Sequence, residues 1–252
     1  MNNSCWVLVF ALVFVSGERG EDERIVGGQA AAISSYPYQV SLRSQSNSHF
    51  CGGSIISNNL VLTAAHCLTG RTAGTVAVVA GTNSISSGGT RYSVAELISH
   101  PSYNTGNNGQ DIALIKIAGT FTYDANVRPV QLASSYPPVG ANLTLTGWGL
   151  QSYPSNTLPN ILQCVHLAAI DVEQCKSLLP GYPVTSTHLC TKSRKGQGAC
   201  QGDSGGPLVY GNAQVGVVSW GIPCAKGYPD VFTSVPSYIN WIITNARNAR
   251  RR

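Results

Sequence analysis

Short apolar runs that stop before they can become helices dominate this chain. "PYQVSLR", "GSIISNNLVLTAA", "TVAVVAG", "RYSVAELISH" and "DIALIKI" follow one another between residues 37 and 117. "LTLTGWG", "LPNILQCVHLAAI", "GPLVYG", "QVGVVSWG" and "DVFTSV" follow between 143 and 235. Each is rich in Val, Ile, Thr or Tyr and is bounded by Gly, Ser, Asn or Pro, the pattern of an all-β chain. With 27 Gly, 13 Pro and only 11% charged residues, strands must do the burying. The 252 residues, 43% of them hydrophobic, suffice for one large or two small cores. The two series match in size and strand count but not in sequence, and "RPVQLASSYPPVGAN" lies between them as a crossing segment. Two closed antiparallel barrels, roughly residues 25–135 and 136–234, leave no sheet edge exposed. One helix is predicted, at the end. In "VPSYINWIITNAR" the residues Val235, Tyr238, Ile239 and Ile242 fall at helical spacing, and Pro236 suits a first turn. Its apolar face is expected on the second barrel, and the basic tail 247–252 is read as a solvated helix end.

The amino-terminal segment reads as processing signal. "CWVLVFALVFV" (residues 5–15) is too short to span a bilayer, and small residues Ser16 and Gly17 follow it, so residues 1–17 are predicted to be a signal peptide of a secreted, extracellular chain. "ERGEDER" (residues 18–24) holds no core-forming residue and reads as a short propeptide. Without residues 1–24 two arginines and four acids are lost from the sixteen basic and eleven acidic residues, leaving a net charge of +7. No stripe of Arg and Lys with interleaved aromatics accompanies that charge, so nucleic acid is not an expected partner. Seven cysteines remain after Cys5: 51, 67, 164, 175, 190, 200 and 224. A secreted chain pairs them, and an odd number leaves one unpaired or intermolecular. There is no C-x-x-C and no H-E-x-x-H, so neither a zinc site nor any other cofactor is expected.

The chemistry concentrates in "KGQGACQGDSGGPLVYG" (residues 195–211). "GDSGG" fits G-x-S-x-G, a pattern that also marks the nucleophile turn of α/β-hydrolases and arises by chance in Gly- and Ser-rich loops. Chain order narrows the choice, because a serine needs a base and the base needs an orienting carboxylate. No histidine follows Ser204, which excludes the order serine, acid, histidine. The only aspartate before His66 is Asp22, in the discarded segment, which excludes the order aspartate, histidine, serine. The order histidine, aspartate, serine remains. His66 in "VLTAAHC" follows an apolar strand, whereas His49, His100, His166 and His188 sit in unremarkable contexts. Asp111 heads the apolar "DIALIKI", where an unpartnered carboxylate is badly solvated and an imidazole N–H is a suitable partner. In isolation a loop-end aspartate bonding its own backbone explains Asp111 equally well.

"RIVGG", "LTAAHC", "DIALIKI", "GDSGGP" and "SWG" occur in this order over residues 25 to about 245, and together they resemble the chymotrypsin-like serine endopeptidases, most of all invertebrate digestive chymotrypsins. The resemblance implies two six-stranded antiparallel β-barrels with the active site in the cleft between them. It implies a catalytic triad of His66, Asp111 and Ser204, with the backbone N–H groups of Gly202 and Ser204 as the oxyanion hole. It implies activation by cleavage after Arg24, which frees an α-amino group at Ile25 to pair with Asp203. Disulfides 51–67, 175–190 and 200–224 follow from the same resemblance. Cys164 is then the unpaired cysteine, because the family's partner position is Ala31, and a buried, inert thiol is expected.

The resemblance also places the specificity pocket at residues 198–201, 219–221 and near 227–231. Trypsins carry an aspartate where this chain has Gly198, which argues for a wide pocket taking aromatic or large apolar P1 residues, with Gly221 leaving the mouth open and Gln201 at the rim. Asp230 stands where the family usually has glycine. It either pairs with basic P1 side chains, giving broad, collagenase-like or trypsin-like cleavage, or is absorbed by water and backbone amides. Ser219 is expected to support Asp111, while "SWG" (Ser219, Trp220, Gly221) offers backbone to an extended substrate. Expected partners are polypeptide substrates, an activating tryptic protease and protein inhibitors of a monomeric enzyme without membrane attachment. A non-catalytic homologue acting as a binding protein keeps the fold but usually loses a triad member. A cascade protease usually carries an added regulatory domain, and the short propeptide favours digestion instead. Asn142-Leu-Thr144 is a glycosylation acceptor sequence, and the loop before Glu96 offers only that one carboxylate to calcium.

Overall fold

The computed structural model describes residues 27–105, 109–152, 154–192, 194–222 and 224–251. The expected signal peptide, the propeptide and the Arg24–Ile25 bond lie outside these residues. The described chain opens with the two-residue strand β1 (Gln29–Ala30). The first apolar series then gives β2 (Gln39–Arg43), β3 (His49–Ile55), β4 (Leu60–Thr63), β5 (Ala77–Ala80), β6 (Thr90–Ser99) and β7 (Ala113–Ile117). They close in the order β2-β3-β4-β7-β6-β5, so every strand has two neighbours. The strand-forming runs are wholly buried in β2, β4 and β5, and Val40, Leu42, Leu62, Val78, Leu114 and Ile115 meet in the barrel interior.

The crossing segment contributes a short strand, β8 (Gln131–Leu132). The second series gives β9 (Asn142–Gly147), β10 (Gln163–Ile170), β11 (His188–Lys192), β12 (Pro207–Tyr210), β13 (Ala213–Gly221) and β14 (Asp230–Ser234). The order β10-β11-β14-β13-β12-β9 closes through β9 and β10, so this barrel also has six antiparallel strands. β1 pairs with β10 and β8 adds in parallel to β13. Leu143, Leu145, Leu167, Leu208, Val215 and Phe232 fill the interior.

Two helices form among the described residues, one more than the pattern predicts. α1 (Val172–Leu178) is capped by Asp171, whose carboxylate accepts from Gln174 N at 2.8 Å, and is tied to β11 by the disulfide Cys175–Cys190. Seven residues are too few for a readable apolar period; the cap and the crosslink hold it. α2 runs from Val235 to Arg251, so the basic tail is helical at least to that residue. As expected, it lies against the second barrel, beside β13 and β8. It also reaches further: Val235, Tyr238 and Ile242 join the apolar cluster that holds the first barrel's core together with Val217 of β13, and His100 lies 5.5 Å from the Tyr238 ring and 5.2 Å from the Trp241 ring. The helix thus bridges the two barrels.

The barrels meet along a seam of buried polar groups. Thr146 Oγ1 donates to Gln39 Oε1, and Ser54 Oγ donates to Gln214 Oε1, each at 2.6 Å. Gly52 N donates to Ser204 O at 2.8 Å. None of these side chains is more than 1% exposed, and each donor finds its acceptor on the opposite barrel. Contact is close enough that side chains are excluded at its centre. A Cβ on Gly205 (φ +76°) would lie 2.2 Å from Thr63 Oγ1 and 2.7 Å from Gly52 O. Gly205→Ala is therefore expected to destabilise the fold by roughly 2–5 kcal/mol, combining a left-handed alanine with a wedge in the seam. Urea unfolding of the purified variant measures this; a loss below about 1 kcal/mol contradicts so tight a seam.

Candidate active site

The first barrel supplies an imidazole and a carboxylate. β4 ends at Thr63, the chain turns through Ala64 and Ala65, and a single 3₁₀ turn covers His66–Leu68. Gln110, with φ +52°, turns the chain into Asp111 just before β7. Asp111 is 1% exposed. Its Oδ2 accepts from His66 Nδ1 at 2.7 Å and its Oδ1 from His66 N at 2.9 Å. With Nδ1 donating, Nε2 of a neutral ring is left as an acceptor, 3.7 Å from Cys67 Sγ. The second barrel adds two further bonds: Ser219 Oγ donates to Asp111 Oδ2 at 2.5 Å, and Thr233 Oγ1 donates to the Asp111 main-chain oxygen at 2.7 Å. The buried carboxylate is thus answered from both barrels, which is what its desolvation demands. The loop-end alternative, an aspartate bonded to its own backbone, is not what forms.

Ser204 sits on a tight turn in the second barrel. Asp203 N donates to Cys200 O at 3.0 Å and Gly206 N to Asp203 O at 2.9 Å, while Gly205 N and Val218 N tie the turn to β13. Gly202 adopts φ +102°, and a Cβ there would lie 3.1 Å from Gly149 Cα. Among the described residues, neither Gly202 N nor Ser204 N has an acceptor, so both remain available to a ligand. The turn approaches His66 by a short path. Ser204 O accepts from Gly52 N, Gly52 follows Cys51, and Cys51 is bonded to Cys67, the residue after His66. The adjacent Gly205 lies directly on Thr63 and Ala64, three and two residues before the imidazole.

One residue that sequence reasoning passed over supports this turn. His49 Nε2 lies 2.9 Å from Gly202 O, and its Nδ1 lies 2.8 Å from Ser41 Oγ. Burial pushes the imidazole down to about 4, against the opposing effect of the Gly202 carbonyl and with help from Arg43. The ring is neutral at neutral pH, and a carbonyl partner requires the proton on Nε2. Ser41 then donates to Nδ1 while accepting from Arg43 Nε at 3.0 Å. A relay from Arg43 through Ser41 and His49 thereby fixes the carbonyl of Gly202. The only signal in the sequence is a histidine beside Phe50 and Cys51, and nothing local reveals a partner 153 residues away.

Asp203 points away from Ser204, into the second barrel, and is fully buried. Its Oδ1 accepts from Gly149 N at 2.7 Å and its Oδ2 from Cys200 N at 2.9 Å. Desolvation pushes its carboxyl up to about 7; the two backbone donors oppose that and nearby Asp230 adds to it. Ile25, the expected partner, is outside the described residues.

A pocket of about 240 Å³ opens beside Ser204, walled by residues 199–201 and 218–222 and by Cys224, Asp230 and Val231. Gln201, Ser219, Trp220, Gly221 and Asp230 are brought together there as expected. Gly198, expected in the pocket wall, is buried and is not among the lining residues, which begin at Ala199. Asp230, 5% exposed, puts a carboxylate on the wall, with Oδ2 accepting from Ala199 N at 3.0 Å. A Cβ on Gly221 would be 3.4 Å from Asp230 Oδ1, so the glycine leaves that carboxylate uncovered by a side chain.

The disulfides Cys51–Cys67, Cys175–Cys190 and Cys200–Cys224 are formed, and Cys164 is a buried free thiol on β10 beside Ala31 and Trp148. Among the described residues, one group of potential metal ligands occurs, Cys51, His66 and Cys67. Its two sulfurs are committed to each other as a disulfide and offer no thiolate.

Known proteins share both the sequence and this architecture. The family model described as Trypsin matches residues 25–242. Trypsin delta of Drosophila melanogaster is 46% identical over 228 residues, covering 89% of each chain. Trypsin of Sarcophaga bullata is 42% identical over 250 residues, covering 96% of this chain and 98% of its own. Among solved structures, neuropsin, a serine protease expressed in the limbic system of mouse brain, superimposes with a TM-score of 0.81 at 34% identity, covering 87% of this chain and 98% of its own. Two six-stranded barrels, a serine turn at their seam and these relatives together identify the chain as a serine endopeptidase of the trypsin family.

Proposed function

We propose that the chain is a secreted digestive endopeptidase, made as an inactive precursor, in which Ser204, His66 and Asp111 form the catalytic triad. The observation that carries this reading is the Asp111 carboxylate, buried and holding both the main-chain N–H and the Nδ1–H of His66. In the family's mechanism, carried onto these residues, His66 Nε2 takes the Ser204 proton as Oγ bonds to the scissile carbonyl carbon. The carbonyl electron pair moves to oxygen, where the N–H groups of Gly202 and Ser204 receive it. Collapse expels the amine, which leaves with the proton from His66. Water then repeats the cycle and releases the acid. Asp111 fixes the ring's tautomer and stabilises the imidazolium. The run at residues 5–15 and the three disulfides support secretion into an oxidising compartment.

The pocket supports a mixed P1 preference over a purely chymotryptic one. Val218, Trp220, Ile222 and the Cys200–Cys224 bridge give walls for an aromatic or long aliphatic side chain. Asp230 adds a carboxylate to the wall, with Ala199 N donating to its Oδ2, and Lys and Arg gain a charged partner there. The similarity to proteins named trypsin favours that second arm. Comparing kcat/KM for Phe, Leu, Arg and Lys at P1 tests it. Asp230→Asn is expected to lower the Arg value about tenfold to a hundredfold while leaving Phe within about threefold. Unchanged Arg cleavage in that variant removes the basic arm.

Activation is read as a cut after Arg24, by a tryptic protease or by the mature enzyme's own basic arm, with the Ile25 ammonium moving to Asp203. Arg24→Gln is expected to give a chain that added trypsin cannot switch on; full activity without the cut contradicts the precursor reading. The buried carboxyl gives a second test. Its folded value of about 7 lies above the ordinary 3.8. Between those values the folded uncut chain holds a proton that the unfolded chain has lost, so this group's contribution to stability falls as pH rises through the window. After the cut the ammonium partner holds the carboxylate charged and removes that fall. Urea unfolding from pH 4 to pH 7 is therefore expected to show a decline in the uncut Ser204→Ala chain that is smaller in its cut form and smaller with Asp203→Asn. Equal slopes in all three contradict the role given to Asp203.

A further inference from the structure

A second cleft, of about 660 Å³, lies where the described chain begins, and the triad makes no use of it. Gly27 and Gly28 form one side, and His166, Arg194, Lys195 and Gln197 lie along the rest. No carboxylate lines it among the described residues. Arg194 and Lys195 are exposed, and neither forms an ion pair among the described residues. The loop that carries them also touches the start of the chain. A Cβ on Gly27 would be 2.5 Å from Gly196 O and 2.3 Å from Gln197 Cγ.

From these placements we infer that the cleft is an intramolecular docking site for the acidic propeptide, with Glu21, Asp22 and Glu23 answering Arg194 and Lys195. This rests on the reading of residues 18–24 as a propeptide. Reach permits it: Glu23 is four residues and Glu21 six residues before Gly27, which is itself part of the cleft, so full extension spans about 14 Å and about 21 Å. Charge favours it, since a contiguous acidic run would meet two cations that form no ion pair among the described residues, in a cleft that no described carboxylate lines. The consequences are directional. Before cleavage the docked run holds the Arg24–Ile25 bond against the body and hinders its entry into an activating protease. It also braces the loop 194–197, which leads into the pocket wall at Ala199. After cleavage no cysteine tethers residues 18–24, and the peptide departs. The new ammonium at Ile25, two residues from Gly27, then faces like charges and is driven from the cleft toward the buried acid at Asp203.

The test uses the uncut chain from residue 18 to 252 with Ser204→Ala, which cannot process itself. Carbodiimide coupling at about 0.02 M salt, followed by peptide mapping, is expected to join Lys195 to Glu21, Asp22 or Glu23, and to fail at about 0.5 M salt. In parallel, appearance of the Ile25 amino-terminus is followed with added trypsin. Arg194→Glu with Lys195→Glu is expected to accelerate that cut about threefold to tenfold at low salt and not at high salt; Arg194→Gln with Lys195→Gln gives the same direction with less disturbance of the fold. No coupling to Lys195, or equal cutting rates at low salt, overturns the docking. The precursor reading is judged separately: if the chain with Ser204 intact gains no peptidase activity when cut after Arg24, that reading fails whatever the coupling shows.

Discussion

The bond between a buried carboxylate and an imidazole organises this molecule. Asp111 is nearly inaccessible to water, and an isolated charge there would cost more than the fold can spare. It is tolerated because three donors converge on the carboxylate, two from His66 in its own barrel and Ser219 Oγ from the other, while Thr233 holds the main-chain oxygen of the same residue. The same contacts that keep the acid buried therefore set the ring orientation and the angle between the barrels. A change that shifts one barrel against the other uncouples the acid before it exposes any apolar core.

The seam around that bond explains where glycine is obligatory. Gly52 and Gly205 bring the backbones of the two barrels into direct contact, and the serine's own carbonyl is held by Gly52 N across the divide. Hydrophobic burial stabilises each barrel separately. Their mutual register is set by Gln39 with Thr146, Ser54 with Gln214 and the Asp111 cluster, where mispairing leaves buried polar atoms without partners. Polar pairs of this kind contribute modestly to net stability but penalise every other docking angle, and a cleft enzyme depends on the angle.

The main strands were legible because their β-branched runs, bounded by glycine and proline, can bury in no other way. β11 was not, since its buried face uses His188 and Thr191, residues that read as surface. β1 and β8, two residues each, exist only because a neighbouring strand offers an edge. α1 depends on a cap and a disulfide more than on any apolar period. For α2 the periodicity and its place on the second barrel were visible, but its reach to His100 of the first barrel was not. Chain order left only the sequence histidine, aspartate, serine, and the pairing of His66 with Asp111 came from the family resemblance, since a loop-end aspartate explained Asp111 equally well. His49 was not legible, because its significance lies wholly in a contact with Gly202 that no local pattern encodes.

Two buried acids share the backbone at the pocket wall. Ala199 N donates to Asp230 and the next amide, Cys200 N, donates to Asp203, so successive backbone donors are shared between two buried carboxylates. The presence of Asp230 is one reason Asp203 is pushed up to about 7. On the activation and P1 readings proposed above, an ammonium beside Asp203 would steady the segment from Cys200 to Ser204, and a basic side chain in the pocket would act on the same segment through Asp230. Pocket specificity and activation would then draw on one electrostatic balance over a stretch of five residues.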